Sequence, residues 1–102
     1  MNNQQYFVYI MTNKRNTVLY TGMTRRGEER FAEHSQRLNP QSFTARYYVN
    51  KVVYVESFST PADAAAAERK IKGWTRKKKI DLINSVNPTW KDINLPAIET
   101  LR

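Results

Sequence analysis

Residues 6–24 read YFVYIMTNKRNTVLYTGMT, and the organisation of the chain follows from how this stretch folds. Tyr6 to Met11 is rich in aromatic and β-branched residues, the composition of a strand. The polar run TNKRNT interrupts it, and Val18 to Thr24 resumes it, so the two segments are expected to pair as a hairpin. Alternation puts Phe7, Tyr9 and Met11 on one face and Tyr6, Val8 and Ile10 on the other. In the second strand Val18, Tyr20, Gly22 and Thr24 share a face. If Tyr9 and Tyr20 lie on the same face of the hairpin, their hydroxyls converge near Gly22, where the missing side chain leaves room for a group to approach the backbone. The alternative is that one or both are ordinary strand tyrosines, packed with the phenol end in water.

Working outward, the pattern turns helical from about Gly27 to Leu38, with Glu28 and Glu29 in the first turn, where negative charge suits the helix dipole. NPQSF stops that helix, because the residue before a proline is biased away from helix. KVVYVESF reads as a third strand. STPADAAAAERKIKGW then carries the clearest helix start: Thr60 can cap, Pro61 suits the first position, and Asp63 occupies the acidic place of a capping box. Gly73 is expected to break this helix and Thr75 to cap another running to about Val86. The expected order is strand, strand, helix, strand, helix, helix. That makes a small α/β fold with a three-stranded, largely antiparallel sheet flanked by helices, a single domain over 1–90 and a tail over 91–102.

Composition limits what such a domain does. The 102 residues suit one modest core. There is no cysteine, which excludes disulfides, thiolate metal sites and a cysteine nucleophile. No apolar run is long enough to span a membrane, and MNNQQYF lacks the regions of a signal peptide, so a cytoplasmic protein is expected. Seventeen Lys plus Arg against nine Asp plus Glu give a formal charge of +8 and a pI near 10.0. On a domain this small, that balance favours nucleic acid as partner, with simple solubility as the alternative.

Three groups of side chains carry candidate chemistry. Arg30, His34 and Arg37 recur at helical spacing and form one stripe. An arginine fork suits phosphate oxygens, and a histidine one turn away can hold or transfer a proton near neutral pH. Glu68 is the only acid between Asp63 and Asp81. It is either paired with Arg69 or Lys72 on the helix surface, or a ligand for Mg²⁺, which takes one or two protein carboxylates and completes its shell with water and phosphate. The run Arg69, Lys70, Lys72, Arg76 and Lys77 to Lys79 is either a phosphate-backbone track or a solvated face. Trp74 reads as a packing residue rather than a base-stacking one.

Taken in order, these features resemble the GIY-YIG nuclease superfamily, and in particular its small single-domain bacterial members. VYI at 8–10 and YTG at 20–22 stand where the family has its two three-residue motifs. RFAEH supplies its Arg and His, AERKIKGW its glutamate-bearing helix, and FTARY and NPTWKDI also match the small-member pattern. The resemblance covers roughly residues 5–93. It implies a DNA endonuclease acting in repair, recombination or processing of unusual structures. Tyr9 would activate the attacking water, and Tyr20 would hydrogen-bond the nucleophile or the scissile phosphate. Arg30 would stabilise the phosphorane-like charge, and His34 would assist proton transfer or phosphate positioning. Glu68 would hold a single Mg²⁺ or Mn²⁺. Gly22 has a structural role, and Arg25, Arg26, Arg37, Lys72, Arg76, Lys77 and Lys78 would track the nucleic-acid backbone.

The chain also departs from the pattern. Val8 stands for a glycine and Thr21 for an isoleucine, and no residue is assigned to the asparagine that some nucleases of this family carry after the glutamate. Glu56 on the third strand is a rival or auxiliary carboxylate. With no room for a separate DNA-binding domain, recognition is expected from the basic surface, from branched or single-stranded DNA shape, or from a targeting partner protein. A nucleic-acid-binding module that keeps the fold without turnover is the alternative reading.

Overall fold

The unbroken apolar run Phe7 to Met11 leaves the first strand no polar face to turn towards water, which is the signature of a strand covered on both sides. In the computed structural model, which describes residues 5–24 and 48–93, β1 (Tyr6–Thr12) is accordingly the middle strand. It lies between β2 (Leu19–Thr24) and β3 (Lys51–Phe58), antiparallel to both. Phe7 to Thr12 are all buried. The helix expected over Gly27 to Leu38 lies outside the described residues.

The hairpin loop is built by one side chain. Asn13 Oδ1 accepts from the Thr17 amide at 2.7 Å and the Val18 amide at 3.2 Å, and Nδ2 donates to Thr17 Oγ1 at 2.7 Å. Thr12 Oγ1 donates to the Val18 carbonyl at 2.7 Å, and Asn16 takes the left-handed conformation, φ 59°, that asparagine tolerates. On the other side of β1 the register slips between Ile10 and Met11. Ile10 faces Tyr54 and Met11 faces Val52, so Val53 is the extra residue of a bulge. Val53 and Tyr54 consequently join the same core cluster, while Val52 joins the opposite one.

Two helices cover one face. α1 (Pro61–Lys72) starts as its sequence specifies: Thr60 Oγ1 accepts from the Asp63 amide at 3.1 Å and Pro61 opens the first turn. Its buried Ala64 and Ile71 pack on Val8, Ile10 and Val53. Gly73 closes the helix with φ −79°, in the right-handed region, so the stop does not use glycine's left-handed freedom. The chain re-enters a helix instead, at a second cap. Thr75 Oγ1 accepts from the Lys78 amide at 3.2 Å and starts α2 (Arg76–Val86), which buries Ile83.

Within the stretch expected as a tail, residues 91–93 are bonded to the rest of the domain. Asn87 ends α2 and ties the following turn to the sheet, its Nδ2 donating to the carbonyls of Val53 at 3.0 Å and Lys91 at 2.9 Å. Asp92 Oδ1 accepts from the Val52 amide at 2.9 Å, and the Ile93 amide donates to the Val52 carbonyl at 2.7 Å. The outer edge of β3 is thereby satisfied at Val52 by residues that composition alone assigned to a tail. No helix among the described residues is long and apolar enough to cross a membrane.

Candidate active site

The hairpin register sets the two tyrosines. Tyr9 pairs directly with Gly22, and Met11 with Tyr20, so Tyr9 and Tyr20 are diagonal neighbours on one face. Their ring centroids are 6.3 Å apart with planes inclined at 41°. Both belong to the cluster with Met11, Val49 and Val52, on the face opposite α1. Tyr9 is fully buried and Tyr20 half-buried, which removes the expectation of a phenol end in water for Tyr9.

Gly22 leaves space there, and what fills the space is the chain's own phenol. A Cβ at position 22 would stand 2.5 Å from Tyr9 Oη and 2.6 Å from Cζ. The hydroxyl of Tyr9 therefore lies directly over the backbone of β2. A strand glycine often marks such a close approach, and here it lets the buried ring cross the neighbouring strand.

Glu68 sits on α1, the helix covering the other face. Its Oε2 is 3.1 Å from Lys72 Nζ, with the two side chains 25% and 54% exposed. An i,i+4 surface pair contributes only about 0.3–0.5 kcal/mol, so the carboxylate can exchange its ammonium partner for another cation. Among the described residues no group of three or more His, Cys, Asp or Glu side chains is gathered to hold a metal. An ion at Glu68 would complete its shell with water and phosphate, the habit of Mg²⁺. At this position the described residues offer such an ion a single carboxylate, on the helix that covers the face opposite Tyr9 and Tyr20. Arg25, Arg26, Arg30, His34 and Arg37 lie outside the described residues.

The remaining expected phosphate contacts are exposed but engaged. Arg76 Nη2 donates to the Asn16 carbonyl at 3.3 Å, Lys77 pairs with Asp81 at 3.1 Å, and the Lys78 ammonium stands 4.9 Å from the centre of the Trp74 ring. The Arg76 bond joins α2 to the hairpin loop, whose exposed Lys14 and Arg15 extend the basic surface. The signal for these two was the charge within TNKRNT, which reads equally as an ordinary polar loop. Sequence reasoning also missed the pair formed by Tyr54 and Glu56. These are two apart on β3 and so on one face, and the Tyr54 hydroxyl donates to Glu56 Oε1 at 2.5 Å. Burial first, then that bond and the carboxylate's charge, push the Tyr54 phenol well above its ordinary value.

Residues 5–81 match the family model described as the GIY-YIG catalytic domain. The chain is 35% identical over 79 residues to UPF0213 protein SH2523 of Staphylococcus haemolyticus, covering 78% of this chain and 94% of that one. It is 34% identical over 94 residues to UPF0213 protein HQ_3675A of Haloquadratum walsbyi, covering 92% and 99%. The solution NMR structure of UPF0213 protein BH0048 from Bacillus halodurans superposes with a TM-score of 0.55 at 23% identity, over 85% of this chain and 90% of that one. This likeness supports the α/β fold with its three-stranded antiparallel sheet.

Proposed function

Since the chain belongs to the GIY-YIG family, whose catalytic domain is of nuclease type and takes nucleic acid as substrate, we propose that it is a divalent-metal-dependent endonuclease cutting phosphodiester bonds in DNA. The observation that carries the reading is the Tyr9–Gly22 register, which brings two phenols onto one face with one of them held over the strand backbone.

In the reaction, water adds to phosphorus and the bond from phosphorus to the 3′ oxygen breaks. The water gives up a proton, and the departing oxygen gains one. Tyr9, fixed by its burial, is the group proposed to polarise the water, and Tyr20 the donor that orients it against the phosphate. A free phenol, with a pKa near 10, is a weak base at neutral pH, so the cations of this chain are needed to favour phenolate character. Arg30 and His34 are assigned to the phosphate charge and to proton transfer. Glu68 would hold the Mg²⁺ or Mn²⁺, which supplies stabilisation of negative charge on phosphate oxygens.

The complete burial of Tyr9 favours a second reading, a binding module without turnover, because an attacking water must reach that hydroxyl. One assay separates them. Supercoiled plasmid, single strands, a flap and a branched duplex are incubated with Mg²⁺ or Mn²⁺, with chelator, and with a Glu68→Ala variant. The endonuclease reading expects nicking that chelator and Glu68→Ala both abolish while DNA binding persists. Undiminished cleavage by Glu68→Ala refutes the metal role, and salt-sensitive binding without nicking on any substrate establishes the binding module.

A further inference from the structure

On the side of the sheet away from the two motif tyrosines, β3, α1 and α2 enclose a half-open groove of about 250 Å³. Tyr54, Phe58, Ile71 and Trp74 form its apolar walls, and Glu56 and Lys70 are its charged members. The volume falls below the range of about 300–1,000 Å³ usual for drug-sized ligands, so the groove suits one planar ring system rather than a large cofactor. Two features make it more than a gap between elements. The first is that Glu56 is exposed yet held in one orientation by the 2.5 Å bond from Tyr54. That bond occupies Oε1, leaving Oε2 to accept from an incoming donor. The phenol stays protonated because it is buried beside the carboxylate, so the anchor persists at neutral pH. The second is cationic. Lys70 lines the groove, so a ligand seated there meets an ammonium group suited to phosphate, and Lys78, over the Trp74 ring, adds positive charge nearby.

An aromatic wall, an oriented acceptor and flanking cations match the parts of a nucleotide: ring, exocyclic amine and phosphate. A double helix stacks its bases away from such a groove, and proteins take bases into aromatic seats where the strand is single. We propose that this groove seats an unpaired, amine-bearing nucleobase, with cytosine the ring that fits it. Cytosine presents its N4 amine to a carboxylate, whereas thymine, of similar size, presents an O4 acceptor that a carboxylate repels. The site rests on the nucleic-acid reading above but does not require cleavage. It would make the enzyme select single-stranded or flapped DNA carrying cytosine near the cut.

The test compares binding of an eight-nucleotide dC oligomer with its dT counterpart by fluorescence anisotropy, for the wild-type chain and for Glu56→Gln. In parallel, the indole N–H resonance of Trp74 is followed by NMR. Glu56 is exposed, so the substitution leaves the core intact, and with Oε1 still held by Tyr54 it puts an amide NH₂, a donor for O4, where the carboxylate offered Oε2. The wild type is expected to bind dC about fivefold more tightly than dT, with a shift of the Trp74 resonance, and Glu56→Gln to erase or reverse the preference. Equal affinities in the wild type, or a preference that survives Glu56→Gln, overturn the proposal while leaving the nuclease reading standing. Absence of binding to either oligomer also overturns the proposal, and the nuclease reading is then decided by the plasmid and branched-duplex arms of the nicking assay.

Discussion

Gly22→Ala is the substitution whose cost can be worked most directly from the structure. The added methyl carbon would lie 2.5, 2.6 and 3.0 Å from Oη, Cζ and Cε2 of Tyr9. All three are shorter than an ordinary contact of about 3.5–4.0 Å. A tyrosine at the surface would swing aside. Tyr9 is fully buried on the central strand, between β2 and β3, so either the ring leaves its rotamer or the strands move apart. Overpacking of this kind costs about 1–3 kcal/mol. Gly22 is not in the left-handed region, so alanine adds no backbone strain there. By restricting the unfolded chain it returns about 0.4–1 kcal/mol. The net loss is about 1–2 kcal/mol, a fall in melting temperature on the order of 5–15 °C for a domain of this size. The assay is thermal unfolding followed by circular dichroism, run as a double-mutant cycle with Tyr9. Tyr9→Phe removes only the hydroxyl and leaves the clashing ring carbons, so it should relieve little of the cost. Tyr9→Leu removes the ring and should relieve most of it, a coupling of about 1 kcal/mol or more. A neutral Gly22→Ala, or an equal cost in the Tyr9→Leu background, would refute the statement that Gly22 exists to pass the Tyr9 phenol over β2.

Two further outcomes follow from the β3 side. The Tyr54 phenol is raised in the folded chain, so from about pH 10, its ordinary value, the unfolded state loses that proton while the folded state keeps it. The unfolded state then binds fewer protons and stability must fall as pH rises. Melting curves between pH 8 and pH 11 should therefore decline less steeply above about pH 10 for Tyr54→Phe than for wild type, and identical slopes would contradict the shift. Asn87→Ala should destabilise the domain by about 1–3 kcal/mol, because it deletes the bonds to the Val53 and Lys91 carbonyls and the one accepted from the Lys91 amide at 3.2 Å. Hydrogen exchange at the Ile93 amide, whose partner is Val52, should speed up in that variant. Unchanged exchange would mean that the 91–93 segment holds without Asn87.

Local chemistry made the element order and helix starts readable in advance. Thr60 and Thr75 cap where a hydroxyl precedes a helix-forming run, because that bond closes within one turn and needs no distant partner. The aromatic and β-branched composition of residues 6–11 and 51–58 specified strands for the same reason. Alternation even placed Tyr9 with Met11 and Tyr20 with Gly22. It could not say which residue of β2 stands opposite Tyr9, because register depends on the loop that Asn13 closes and on the partners across the sheet. Only the folded chain paired Tyr9 with Gly22, and so turned a glycine expected to admit a ligand into the floor beneath a buried phenol. The bulge at Val53, the capture of Asp92 and Ile93 by Val52, and the groove walled by Tyr54, Glu56 and Trp74 belong with it. Each joins or orients groups through packing between elements, and a linear pattern carries information about a residue's own periodicity, not about the surface it will meet.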